Sequence, residues 1–82
     1  MDINMSRTRE TLKRIALDRI EIDLTDEIID SGTSFKDIGV DSLDTIEIIV
    51  SVEDALDIEL SDERLDKIEN IKALADYLAE YD

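Results

Sequence analysis

Apolar residues recur along this chain at helical spacing in three stretches, separated by segments where the period fails. Leu12, Ile15 and Ala16 fall at that spacing among good helix formers between about Ser6 and Leu17, which predicts a first helix with a basic outer face. Ile20, Ile22 and Leu24 then alternate with polar residues, but a lone short strand has no partner in this sequence. Residues 21–41 therefore read as a long ordered loop, pinned by Ile28, Ile29 and Phe35 and punctuated by the chain's two glycines, Gly32 and Gly39. Asp41 or Ser42 is a good N-cap for a second helix reaching about Leu56, with Asp44 adding negative charge to its first turn. After a break at 57–60, Ser61 or Asp62 opens a short helical piece to about Lys67, with Leu65 and Ile68 facing inward. Asn70 caps a last helix whose Ile71, Leu74, Ala75 and Leu78 form an i, i+3, i+4, i+7 stripe. The predicted fold is all-α: a four-helix bundle of three longer helices and one short helix, with a long first loop.

Projected at about 100° per residue from Ser42, the second helix carries two apolar stripes. Ile48, Ile49, Val52, Ala55 and Leu56 occupy a sector of about 120°, the width of a core-facing stripe. Leu43, Ile46 and Val50 lie in a second sector, from about 40° to about 100°, bordered by Glu47, Glu53, Asp54 and Asp57. Apolar side chains ringed by acids form a docking face; the alternative is that this stripe, Ile46 above all, widens the buried surface of a central helix.

With 82 residues the chain is large enough for one compact domain, taken here as 1–82, and too small for two. One Phe, two Tyr and no Trp leave the core to Ile, Leu and Val. The absence of Cys and His removes thiolate and imidazole nucleophiles and the usual zinc ligands, so neither a catalytic residue nor a metal site is expected. The longest aliphatic run, Ile48-Ile49-Val50, is far too short to cross a bilayer, and no signal-like segment opens the chain; a cytoplasmic protein without stable membrane association is expected.

The net charge is −14, from 23 acidic and nine basic residues. Five of the bases, Arg7, Arg9, Lys13, Arg14 and Arg19, lie in the first 20 residues, leaving −16 on residues 21–82. Such a field repels nucleic acid and steers basic protein surfaces toward the chain. Crowding of acids predicts raised carboxylate pKa values and stability lost as pH rises. A calcium loop at Asp30-Ser31-Gly32-Thr33-Ser34-Phe35 is excluded, because its third position is Gly32 and its sixth, where the turn needs glycine, is Phe35.

Ser42 opens the second helix, where unpaired amides and the positive end of the macrodipole favour an anion, although ordinary capping explains most serines in such a place. The surrounding residues add more. Gly39-Val40-Asp41-Ser42-Leu43-Asp44, then Thr45-Ile46-Glu47-Ile48-Ile49 and Val52-Glu53-Asp54, resemble the acyl carrier protein signature around its modified serine. Phe35 leading into Ile38-Gly39, the Ile58-Glu59-Leu60 segment and the Ile71-Lys72-Ala73-Leu74-Ala75 helix extend the resemblance over residues 7–80.

That resemblance implies that the chain is not an enzyme. It implies a 4'-phosphopantetheine arm on Ser42, installed from coenzyme A by a separate phosphopantetheinyl transferase, with acyl groups held as thioesters for fatty-acid or related biosynthetic enzymes. Asp41 and Leu43 match the positions flanking the serine, Asp44, Glu47, Glu53 and Asp54 match acids that meet basic patches on acyl-loading and synthase partners, and Val50 and Leu43 match exposed apolar partner contacts. The acyl chain is expected between the helices, lined by Ile48, Ile49, Val52, Leu56, Ile68 and Leu74, in a monomeric carrier. D-alanyl, aminoacyl, peptidyl and polyketide carriers share the modified serine; an unmodified acidic adaptor is the alternative from another class. Two departures stand out. Leu60-Ser61-Asp62-Glu63 lacks the proline many members have there, predicting a looser turn, and the Phe35-to-Ser42 segment is one residue shorter than in the common fatty-acid form.

Overall fold

The computed structural model describes residues 6–82, and the chain's first five residues lie outside that description. Among the described residues five α-helices follow one another: α1 (Arg7–Ile20), α2 (Asp26–Asp30), α3 (Ser42–Leu56), α4 (Asp62–Leu65) and α5 (Ile71–Ala79), with one 3-10 turn at Lys36–Ile38. The three long helices are those expected, and each begins on a side-chain cap. Ser6 accepts from the Arg9 amide, Asp41 from the Asp44 amide and Asn70 from the Ala73 amide, satisfying donors that a helix start leaves without partners.

Several boundaries differ from the sequence pattern. Helix α1 runs three residues past Leu17, because Glu21 adopts a left-handed conformation and returns its amide to the carbonyls of Ala16 and Leu17. The long loop is not wholly loop. Thr25 caps the Ile28 amide and Asp26 and Glu27 favour the first turn, so five residues close into α2; a segment so short carries no readable period. Helix α4 ends at Leu65, before Lys67. Ala55, placed on the core-facing stripe, is exposed near the end of α3, while Ile48 and Val52 on that stripe are buried.

Leu12, Ile15 and Ala16 of α1, Ile48 and Val52 of α3, and Ile71, Leu74, Ala75, Tyr77 and Leu78 of α5 form one apolar cluster. Leu24, Ile29, Phe35, Val40 and Leu60 join it from the connections. Burial of each large aliphatic side chain contributes about 1.5–3 kcal/mol, so the connecting segments help to hold the bundle as well as to link it. Helix α1 packs against α3 and α5, and α2 against α5. A bridge between Ser34 and Asn70, with the Ile71 amide on the Thr33 carbonyl at 3.2 Å, ties the long connection to the start of α5. Two ion pairs from Lys13 and Arg9 to Asp26 and one from Arg9 to Asp30 fasten α2 to α1.

The turn before α4 is pinned without proline, contrary to the looseness its sequence predicts. Glu53 accepts the Leu60 amide at 2.8 Å, the Tyr77 hydroxyl accepts the Ser61 amide at 2.8 Å, and the Ser61 hydroxyl accepts the Arg64 amide. Ser61 retains the amide that a proline would lack, and the fold uses it.

Candidate functional site

The start of α3 is fixed by a reciprocal capping box. The Asp41 carboxylate accepts the Asp44 amide at 2.9 Å, and the Asp44 carboxylate accepts the Asp41 amide at 3.4 Å. The Thr45 amide and hydroxyl both donate to the Asp41 carbonyl, each at 2.9 Å. Capping thus falls to Asp41, which leaves Ser42 as the first helical residue, exposed, with its hydroxyl in no hydrogen bond among the described residues. The amides of Ser42 and Leu43 likewise donate to no group among the described residues. An uncommitted hydroxyl therefore stands at the positive end of a 15-residue helix.

The approach to that hydroxyl is built by the turn before it. Phe35 and Val40 are buried, and the Val40 amide donates to the Phe35 carbonyl at 2.8 Å. Between them Gly39 takes φ +80°, a left-handed conformation that glycine adopts without steric cost. Beside Ser42 this turn leaves an open groove of about 750 Å³, lined by Phe35, Lys36, Val40, Thr45, Ile46 and Ile68 along with Gly39, Asp41 and Ser42 itself. Lys36 and Thr45 are members that pattern reading did not single out. Lys36 lies in the 3-10 turn, whose three residues show no period.

Leu43, Ile46 and Val50 are 76%, 58% and 57% exposed, so the second stripe of α3 is not buried and Ile46 does not widen the core. Glu47 and Asp54 are exposed beside it. Asp57 is exposed at the C-terminal end of α3, while three acids assigned to this face are engaged in structure: Asp41 and Asp44 in the capping box, and Glu53 on the Leu60 amide. Of the residues expected to line an acyl chamber, Ile48, Val52 and Leu74 are almost wholly buried, while Ile49, Leu56 and Ile68 are partly buried against the core. Ile68 is the one of these six that also lines the groove beside Ser42.

The carboxylates that shift do so downward, against the expectation from crowding. Hydrogen bonds from Lys13 and then Arg9 lower Asp26, the Arg64 guanidinium lowers Glu80, and the Ser6 hydroxyl with the Thr8 amide lowers Asp82. Each of these acids has found a donor, which outweighs the general negative field. Among the described residues no group of three or more His, Cys, Asp and Glu is arranged to hold a metal ion, and no helix is long and apolar enough to cross a membrane.

A family model described as "Phosphopantetheine attachment site" matches residues 10–78.

Proposed function

The chain belongs to the phosphopantetheine-attachment family, whose covalent cofactor is 4'-phosphopantetheine, and from that premise we propose that Ser42 is the attachment residue of an acyl carrier comprising residues 1–82. The observation that carries this reading is the Ser42 hydroxyl: free of hydrogen bonds among the described residues, on an exposed residue that opens α3 and lines the groove.

The residues present fit such an arm. Attachment joins the Ser42 oxygen to the phosphorus that bears the pantetheine, breaks the pyrophosphate bond of coenzyme A, and releases the nucleotide as leaving group; the hydroxyl proton passes to the transferase. Ser42 supplies the acceptor oxygen, and the unpaired amides of Ser42 and Leu43 with the helix dipole favour the phosphodiester that results. The attached arm supplies the thiol that a cysteine-free chain lacks, so acyl groups are carried as thioesters. Carrier families of this kind act on acyl groups through partner enzymes: a phosphopantetheinyl transferase and synthase enzymes.

The apolar lining of the groove, Phe35, Val40, Ile46 and Ile68, favours an acyl cargo of fatty-acid or related biosynthesis over an aminoacyl, D-alanyl or peptidyl one. Because Ile48, Val52 and Leu74 are closed off in this conformation, an acyl chain reaching them requires the bundle to part at Ile68, and its aliphatic contacts make that opening inexpensive. The exposed face of Leu43, Ile46 and Val50 serves as the docking strip.

Intact-mass measurement after incubation with coenzyme A and a broad-specificity transferase tests the assignment. One phosphopantetheine is added to the wild type and none to Ser42→Ala; labelling that survives in Ser42→Ala places the arm elsewhere.

A further inference from the structure

Among the described residues that line the groove beside Ser42, Lys36 is the one basic residue. Local geometry sets it there. The Gly39 amide donates to the Lys36 carbonyl at 3.1 Å, closing the 3-10 turn, and the positive φ of Gly39 sends the chain back toward α3. Buried Phe35 and Val40 anchor the two ends of this turn. Lys36 and Ser42, six positions apart, thus line one groove. The lysine is exposed and enters none of the ion pairs found among the described residues.

Charge gives this placement a consequence. A phosphodiester on Ser42 is an anion set between Asp41 and Asp44, in a stretch of chain that carries −16 over residues 21–82. The carboxylates of those two neighbours are turned onto backbone amides by the capping box, which lessens their repulsion without removing it. Two unpaired amides offset part of the remainder. Lys36, which lines the same groove, carries its ammonium group on a flexible four-carbon stem.

We propose that Lys36 is a positioning residue for the arm: its ammonium group pairs with the phosphodiester on Ser42 and inclines the arm over the apolar groove formed by Phe35, Val40, Ile46 and Ile68. This rests on Ser42 being the attachment site. Pairing of this kind is partly exposed to water, so it is screened by salt and releases readily when a partner enzyme draws the arm out.

Phosphorus-31 NMR of the arm-bearing protein tests the pairing directly, using wild type, Lys36→Met and Lys36→Arg, each verified by intact mass. In the wild type the phosphodiester resonance is displaced from its position in a denatured sample and is broadened by restricted motion. Lys36→Met moves it toward the denatured position and narrows it, Lys36→Arg keeps it near the wild type, and rising salt carries the wild type toward Lys36→Met. A resonance that is the same in wild type and Lys36→Met overturns the proposal, as does an equal change in Lys36→Met and Lys36→Arg, since charge is then not the cause. Peptide mapping that finds the added mass on a residue other than Ser42 instead overturns the attachment site, so the two failures are distinguishable.

Discussion

The amide of Ser61 donates to the Tyr77 hydroxyl at 2.8 Å, across 16 positions of sequence. Tyr77 is otherwise buried, and the Arg64 guanidinium stacks 3.8 Å from its ring centre while pairing with Glu80. One side chain of α5 thereby holds both the entry to α4 and its first turn. The groove borders this region through Ile68.

Tyr77→Phe keeps the buried ring and leaves the Ser61 amide without its acceptor. Stranding a part-buried donor costs about 1–2 kcal/mol, and for a domain of this size the melting temperature should fall by about 4–8 °C for each kcal/mol. Tyr81→Phe, at a more exposed ring, should change it far less. Equal melting temperatures for Tyr77→Phe and wild type would show that the turn is held by Glu53 and Ser61 alone.

Asp41 combines a cap with a charge beside Ser42, and substitution can divide them. Asp41→Asn preserves a good capping side chain, so its thermal stability should stay near that of the wild type while transferase loading slows. Asp41→Ala loses both and should also be destabilised by about 1 kcal/mol. Thermal melts paired with loading rates check the division; loading at the wild-type rate in Asp41→Asn would remove the carboxylate from partner recognition.

Stability should decline in acid. Asp26, Glu80 and Asp82 have folded pKa values below their unfolded ones, so the folded state binds protons less readily. Their contribution is present above the ordinary carboxylate range and disappears as pH falls through the folded values. Lys13 and Arg64 shift upward through these same pairings with Asp26 and Glu80, which are lost on the basic side as pH rises into strong alkali. Asp26→Asn should flatten the acid limb of a melting-temperature profile. A wild-type protein that instead grows more stable from neutral pH down to the carboxylate range would restore acid crowding as the dominant effect.

Partner selection by the exposed face of α3 is open to a kinetic test. Glu47 and Asp54 are exposed beside Leu43 and Val50, whereas Glu53 holds the Leu60 amide, so charge reversal there would disturb the fold as well. Glu47→Lys with Asp54→Lys should slow association with a transferase or synthase and weaken its salt dependence, while Val50→Ser should mainly speed dissociation. Asp18→Lys with Asp23→Lys makes the same change in net charge at exposed positions outside α3 and should do much less. Equal effects from the two double variants would mean that partners sense overall charge alone.

The long helices and the place of Ser42 were legible in the sequence because their determinants are local. A cap is read from one residue, as at Asn70, and a buried stripe from its period, as at Ile71, Leu74, Ala75 and Leu78. The two stripes of α3 were likewise present in its spacing. Which stripe would be covered was not, since exposure of Ile46 depends on which face of α3 packs against α1. Helix α2 leaves no period in the sequence because five residues give no repeat, and it is held by ion pairs from α1. The pinned turn before α4 relies on Glu53 and Tyr77, seven and 16 positions from the amides they accept. The groove joins Lys36, Ser42 and Ile68 from three separate segments. Local periodicity and capping are written residue by residue; contacts between distant segments exist only once packing has brought their side chains together, and that was decided by the tertiary structure.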